Sequence, residues 1–406
     1  MRDRAPRNRV GSKPYAIVIG LDSLQGLQTA RVLAAHNVPV IGIAKNADAH
    51  ACRTRVCEEI LVTDTGGDRL IDLLSELGTG FSSMPVLYPC QDKNVIIISR
   101  HRDRLESWYH IMLPPHEVVE TLMNKVAFSE YAQNVGLPIP TTFVLRNRAD
   151  AEIAASALAY PAIMKPAVRL RLWSKHTKLK AFVASDPSEL LAHYDRVHTW
   201  ADGLIAQEMV QGGDVNHVTA NCYFDRRGEP VAMFTTRKLR QWRPVTGQAC
   251  LSEEIRDAIV VKETERLFRG VNYRGLAYLE MKRDERTGTY FIIEPNIGRP
   301  TGRSASAEAA GVEILYSMYC DALGWPLPQD RKQTFTDIKW IHLVRDFQAS
   351  IYHWRRGELT PGDWWKSVRG PKSYAIISWR DPVPFLAAVI KAIRLPWSAT
   401  ARKGSK

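Results

Sequence analysis

Short apolar runs and helical periods alternate along the first hundred residues. YAIVIG (15–20) is rich in β-branched residues, LDSLQGLQTARVLAAH has a helical period, and VPVIGIA is a second apolar run. Strand, helix and strand within about 30 residues predict a βαβ unit of a parallel sheet. EEILVTD and MPVLYPC continue as strands, with IDLLSEL and NVIIISRHRDRLESW as helices. Residues 13–116 therefore read as a small doubly wound domain. Its Gly20 and Gly26 are spaced G-x5-G, not G-x-G-x-x-G, and no acidic residue ends the second strand. They mark a sharp strand-to-helix turn better than a dinucleotide site, which counts against a nicotinamide oxidoreductase.

The texture changes after Pro115. HEVVETLMNKVAFSEYAQNVG predicts one helical stretch ending on Gly136, and PIPTTFVL a strand. YPAIMKP reads as a strand ending on Lys165, followed by the basic stretch RLRLWSKHTKLKAFV and a helix at DPSELLAHYDRV. LIAQEMV is a strand entering the turn QGGD. HVTANCYFD, PVAMFTTRKL and TGTYFIIEPN look antiparallel, which makes an α+β block. The stretch from about Arg331 reads as an appended element rich in tryptophan and basic residues.

Composition adds limits. The 406 residues suit two or three packed lobes, 45% are hydrophobic, and no apolar run is long enough to span a bilayer. The N-terminus is basic without an apolar core behind it, so it is not a secretory signal, and residues 1–12 are expected to be a disordered tail. Six scattered cysteines without a CxxC pair suit reduced thiols in the cytoplasm. The net charge of +12 admits nucleic acid, anionic membrane or phosphorylated small molecules as partners. No nucleic-acid motif appears, so nucleic acid is not expected.

Four groups of residues carry candidate chemistry. Lys165 leaves a buried strand and can aim an ammonium at phosphate oxygens, although surface charge is the plainer alternative. Gln207, Glu208, Met209 and Val210 form a strand edge that can offer backbone groups to an adenine. Asp214, beyond Gly212 and Gly213, can hold ribose hydroxyls. Glu280 and Glu294 end neighbouring strands joined by the turn-like DERTGT. With Asn296 they supply hard oxygen ligands suited to magnesium. Arg299 and Arg303, in NIGRPTGRS, suit an anion site. Lys238 and Arg240, on a strand before the metal strands, are candidates for a substrate carboxylate.

In this order and spacing, these residues resemble the ATP-grasp superfamily, within it the D-aspartate-ligase-like and polysaccharide-associated carboxylate–amine ligases. The resemblance implies a Rossmann-like pre-ATP-grasp domain (13–116) followed by a two-lobed ATP-grasp fold (117–330). Its nucleotide lobe would span 117–205 and its metal and substrate lobe 206–330, with a C-terminal helical extension at 331–406. Lys125, in LMNKVAFSEYAQNVGLPIPTT, takes the place of the first nucleotide-binding lysine and Lys165 that of the second. Gln207 to Val210 match the adenine hinge, Asp214 the ribose acid, and Glu280, Glu294 and Asn296 the magnesium triad. The expected cofactors are ATP and Mg2+, with Mn2+ as the alternative ion. The expected partners are a small-molecule carboxylate and an amine, joined through an acyl phosphate.

The chain departs from the commoner family pattern twice. Gly298 stands where E-x-N-x-R has its arginine, so Arg299 or Arg303 must reach the acyl phosphate. No glycine-rich loop covers the phosphates. Lys178, with Lys175 and Lys180, is expected to substitute as a mobile basic flap; an exposed hairpin without a role is the alternative. A non-catalytic ATP-binding scaffold is the rival reading of the whole chain. At the C-terminus, DPVPFLAAVIKAIRLPW reads as an amphipathic helix. It could rest on the inner face of an anionic membrane, pack on the body, or form a homodimer contact.

Overall fold

The computed structural model describes residues 13–168, 171–244 and 247–394. The expected N-terminal tail and the end of the C-terminal stretch, including Trp397, lie outside the described residues. Three sheets organise the chain.

The first holds β1 (Ala16–Ile19), β2 (Val40–Ala44), β3 (Glu59–Val62) and β4 (Val86–Pro89), all parallel, in the order β3-β2-β1-β4. Helices α1 (Leu24–Ala35), α2 (Asp68–Gly78), α3 (Asp92–Arg100) and α4 (Arg102–Leu105) accompany it. Every residue of β1, β2 and β4 is buried, as expected where helices cover both faces of a parallel sheet. Ser23 caps α1 by accepting from the Gly26 amide. A Cβ at Gly26 would lie 2.4 Å from the Gly20 carbonyl oxygen, so this glycine serves close helix-on-strand packing. Strand order reverses between β1 and β4. The loops that follow them open a crevice at the carboxyl edge of the sheet.

The single helix expected over 116–136 is two, α5 (His116–Met123) and α6 (Lys125–Asn134). Asn124 adopts extended backbone between them, and its side chain caps α6 through the Val126 and Ala127 amides. An asparagine inside a helical period is easily read through, because its capping role shows only in φ and ψ.

The second sheet is antiparallel: β5 (Thr142–Leu145), β6 (Ala162–Pro166), β7 (Phe182–Ala184) and β8 (Leu204–Glu208), in the order β5-β8-β6-β7. Helices α7 (Arg148–Ala157) and α9 (Pro187–Val197) cover one face. Between β6 and β7, the basic stretch expected to be a loose flap forms α8 (Arg171–His176). Its Trp173 is wholly buried against Phe182 and Trp200. Lys175, Lys178 and Lys180 stay exposed on this anchored segment.

The third sheet has seven strands in the order β13-β12-β9-β10-β11-β14-β15. They are β9 (His217–Phe224), β10 (Pro230–Trp242), β11 (Gln248–Glu254), β12 (Gly275–Arg283), β13 (Tyr290–Ile297), β14 (Lys339–Ile341) and β15 (Lys372–Tyr374). Helices α10 (Ala258–Gly270), α11 (Ser304–Ala309) and α12 (Ile314–Ala322) pack around it. The C-terminal helices are α13 (Leu343–Arg355), α14 (Pro361–Val368) and α15 (Val383–Arg394).

The C-terminal stretch is thus a helical extension, as expected, but it also supplies β14 and β15 to the main sheet. Buried charges tie it down. Asp381 accepts from Arg31 Nε at 2.9 Å, Thr54 Oγ1 at 2.6 Å and the Arg55 amide at 3.1 Å. Asp346 on α13 pairs with buried Arg240 of β10 at 2.9 Å and accepts from Trp364 Nε1 at 2.9 Å. Arg240 is therefore committed to the fold, which corrects its assignment to a substrate carboxylate. Asp346→Ala strands that guanidinium in the interior and is expected to cost about 3–5 kcal/mol. Urea unfolding of variant and wild type measures it; a loss below about 1 kcal/mol would show the pair is not structural.

Candidate active site

One face of the seven-stranded sheet collects the charged residues. Glu280 on β12 lies directly opposite Glu294 on β13, and Tyr278 opposite Asn296. Side chains two apart share a face, so both carboxylates, the phenol and the amide point the same way. Across β9, Thr219 stands opposite Glu280, and Asn221 opposite Tyr278. Two half-buried carboxylates in register repel each other unless a cation sits between them. Among the described residues no group of three His, Cys, Asp or Glu is arranged to hold a metal. The donor set here is two carboxylates and one amide. That suits a hard ion which takes its remaining ligands from water and phosphate.

Cations surround these acids. Lys238 on β10 is half-buried and donates to Gln241 Oε1 at 3.0 Å. Burial lowers the Lys238 pKa, opposed by the charge of Glu280 and reinforced by Arg303. His217 is pushed down to about 2, first by burial and then by Lys238, Lys282 and Arg303. It is a neutral ring at any physiological pH, and its Nδ1 is buried with no partner. Arg303 donates from Nη2 to Thr219 Oγ1 at 3.0 Å, while its Nε is buried without a partner. Asn221 Oδ1 and Ser252 Oγ are orphaned on the same sheet. Buried polar atoms are nearly always satisfied, so such a concentration marks a surface completed by a ligand.

Arg299 stands apart from Arg303. Its guanidinium is buried and donates to Asp92 and Tyr278, and to Asn296 Oδ1 at 2.7 Å. Burial opposes its charge, but Tyr278 and Asp92 hold its pKa above the ordinary value. Arg299 therefore orients Asn296 and joins it to the start of α3; it is a positioning residue. The preceding Gly298 has φ +67°, and a Cβ there would lie 2.5 Å from Leu113 Cδ2 and 2.7 Å from Val95 Cγ1. Only glycine fits this turn, which is why no arginine stands at 298.

The small antiparallel sheet faces these residues. Lys165, on β6, donates to Gln207 Oε1 at 3.0 Å, and Gln207 donates onward to Thr142 Oγ1 at 2.8 Å. The Lys165 pKa is lowered to about 8, first by burial and then by the charge of Lys125, with the charge of Glu294 opposing both. Lys125, Lys165 and Glu294 thus converge from three elements. At the predicted hinge, the Glu208 and Met209 amides bond to the Thr141 and Pro161 carbonyls. The Val210 amide is the hinge donor these bonds leave over. The Val210 carbonyl accepts from Lys282 Nζ at 2.8 Å. Asp214 Oδ2 accepts from the Gln241 amide at 2.9 Å, on the strand that carries Lys238. Lys178 is exposed and belongs to the anchored α8 segment rather than to this cluster. Three other open crevices, about 470, 690 and 620 Å³, are lined by none of the predicted site residues.

The carboxyl edge of the parallel sheet closes the cleft on its third side. Asp92 reaches it through Arg299. Asp22 Oδ1, Thr65 Oγ1 and Asn94 Oδ1 are buried there without partners. The sequence reading missed His217, Thr219, Tyr278 and Lys282. Their only signal was alternation on β9 and β12 with the predicted ligands, which becomes informative once strand register is known.

The three-sheet arrangement is shared with solved structures. N5-carboxyaminoimidazole synthetase from Staphylococcus aureus, complexed with ADP, superposes with a TM-score of 0.61 over 78% of this chain and 79% of that one, at 13% identity. The chain has the ATP-grasp fold. Two curated relatives match part of the chain. One is a D-aspartate ligase of Enterococcus faecium (strain Aus0004), 23% identical over 251 residues, covering 59% of this chain and 58% of that protein. The other is a D-alanine–D-alanine ligase of Stutzerimonas stutzeri (strain A1501), 23% identical over 221 residues, 50% of this chain and 65% of that one. Each match spans less than two thirds of the relative's own length. No family model matches the chain. Among the described residues, no helix is long and apolar enough to cross a membrane.

Lys165 provides a pH signature of the cleft. Its pKa is about 8 in the fold against 10.5 in an exposed lysine. Between those values the unfolded chain binds the extra proton, so the Lys165 contribution to stability rises with pH across that window. Denaturant titrations of wild type and Lys165→Met at pH 7.5 and 10 should show a stability gain that the variant lacks. A parallel response of the two proteins would place the Lys165 ammonium in solvent.

Proposed function

We propose that this chain is an ATP-dependent carboxylate–amine ligase that works through an acyl phosphate. The observation that carries this reading is the juxtaposition of Lys165 and Lys125 with the in-register pair Glu280 and Glu294. It supports phosphate cations on one wall of the cleft and ion ligands on the other. The domain limits suggested by the sequence, 13–116, 117–205, 206–330 and 331–406, go with the same reading, but β8 crosses the second limit, and β14 and β15 join the sheet of the third part.

Adenine lies against the hinge from Gln207 to Val210, with the Val210 amide as donor and Asp214 near the ribose. Glu280, Glu294 and Asn296 would hold Mg2+, which supplies charge neutralisation for the phosphates when bound. Lys165, with Lys125 beside it, contacts the α/β-phosphate side of ATP, and the cleft walls exclude water. The substrate carboxylate oxygen attacks the γ-phosphorus in line, the bond to the β-phosphate oxygen breaks, and ADP leaves. The amine nitrogen then attacks the acyl carbon, loses a proton, and phosphate departs. Stabilising charge on the transferring group is the main demand of the first step. Arg303, whose Nε has no partner, and Lys238 serve this step, whereas Arg299 holds Asn296 for them.

The curated relatives are named for joining D-amino acids, so a small amino acid is the proposed amine or acid, and a cell-wall or polysaccharide precursor its partner. A cytoplasmic site of action follows from the need for ATP. Paired amino acids, uronic acids and short peptides, screened for magnesium-dependent ADP release, identify the substrates. With an active pair, Glu294→Ala and Arg303→Ala should each lower turnover at least about a hundredfold while the protein stays folded. ADP release by Glu294→Ala at the wild-type rate would remove the metal assignment.

A further inference from the structure

Ten of the twelve excess positive charges belong to the last stretch of chain. Residues 331–406 hold fifteen Lys and Arg against five Asp and Glu. Arg402, Lys403 and Lys406 lie outside the described residues; among the described acids, Asp346 and Asp381 are buried in ion pairs, so the described surface of this stretch remains basic.

That basic surface also carries bare apolar side chains. On α13, Leu343, Phe347 and Trp354 are spaced by four and seven residues, so they share one helical face. Phe347 is 54% exposed and Trp354 59%. Trp365, at 58%, joins them from α14, which docks on α13 through the Trp364 to Asp346 bond. Arg355 and Arg356 follow Trp354 directly, and Lys366 follows Trp365; all three are exposed, Arg356 paired with exposed Glu358 at 2.6 Å and Lys366 lying 3.9 Å from exposed Asp363. Tyr352 of α13 touches Trp242 at the end of β10, with ring centroids 6.1 Å apart, so this surface adjoins the cleft wall that bears Lys238.

We propose that the α13–α14 surface docks on an anionic lipid bilayer, with Phe347, Trp354 and Trp365 entering the interface and Arg355, Arg356 and Lys366 meeting the headgroups. An amphipathic helix with aromatic and aliphatic side chains on one face and arginine or lysine beside it binds this way without crossing the membrane. Juxtamembrane basic residues add attraction to anionic lipid. A second copy of the chain is the poorer occupant, because a two-fold contact would press two surfaces of this same sign together. Single-stranded nucleic acid is also poorer, because Leu343 offers nothing for a base to stack on. The inference moves the membrane contact suggested by the sequence from α15 to α13 and α14. On α15, Phe385 packs on the opposite side of β14, with the Leu27 and Trp340 cluster, and among the described side chains of this helix the bare large apolar ones are Leu386 and Ile390. It does not rest on the ligase reading.

The test is co-sedimentation of the full chain with vesicles of phosphatidylcholine alone or with about 30% phosphatidylglycerol. Wild type should sediment with the anionic vesicles, stay in solution with neutral ones, and be partly released by 0.5 M salt, where the Debye length is roughly a quarter of that at 0.03 M. Phe347→Ser with Trp354→Ser should weaken association at least about tenfold, as removal of two interfacial anchors implies. Leu386→Ser should bind as wild type. Thermal unfolding of each variant confirms the fold, and ATP binding should be unchanged. Wild type that ignores anionic vesicles overturns the proposal. So does a double variant that sediments like wild type, or a Leu386→Ser variant that alone loses binding. Light scattering that shows a wild-type dimer abolished by the double variant would reassign the surface to self-association.

Discussion

A single buried guanidinium joins two walls of the cleft. Arg299 follows the last strand of the metal face, reaches back to Asn296 and Tyr278 on that face, and reaches across to Asp92 at the start of α3. A charge taken out of water is costly unless geometry and hydrogen bonds compensate it fully. The compensation here comes from the parallel sheet domain and from both strands of the Glu280–Glu294 hairpin. Asn296 can therefore hold its orientation only if those parts sit correctly against one another. The left-handed turn at Gly298 aims the arginine, and the packing of Leu113 and Val95 against that turn explains why no larger residue stands there.

Around that joint the sheet face is built at an energetic disadvantage. Two carboxylates face each other in register, a neutral histidine is hemmed in by three cations, and several buried polar atoms lack partners. None of this helps an empty protein fold. On the proposed reading, a polyanion and a cation in the cleft would give these groups partners in a low-dielectric setting. The stability to carry these groups comes from elsewhere, chiefly from the fully apolar strands of the parallel sheet and the clusters packed on the larger one.

The C-terminal stretch belongs to this framework. Its strands β14 and β15 continue the main sheet beyond β11. Asp346 secures Arg240 on the strand that carries Lys238 and Gln241, and Gln241 in turn holds Asp214 through its amide. Asp381 ties the far end to α1 and to the segment after β2. The wall of the cleft and the basic outer surface are thus two sides of one packed unit.

The alternation of apolar runs and helical periods determined the parallel sheet, the antiparallel hairpin and the order of the candidate site residues, because these depend on local spacing. Glu280 and Glu294 were legible as a pair since a turn-like segment separates two apolar strands, which sets their register within one hairpin. Other features depend on contacts far apart in sequence. The roles of Arg299 and Arg303 were indistinguishable until burial showed one guanidinium consumed by Asp92, some two hundred residues away, and the other left with a free Nε. Arg240 looked like a substrate ligand beside Lys238. A bulge in β10 and a partner on α13 turned it inward instead. The strands β11, β14 and β15 carried no strong alternation, because edge pairing and tertiary burial, not pattern, hold them in the sheet. Sequence decided which chemistry the chain could assemble. Tertiary structure decided which charges face the cleft and which are spent holding it open.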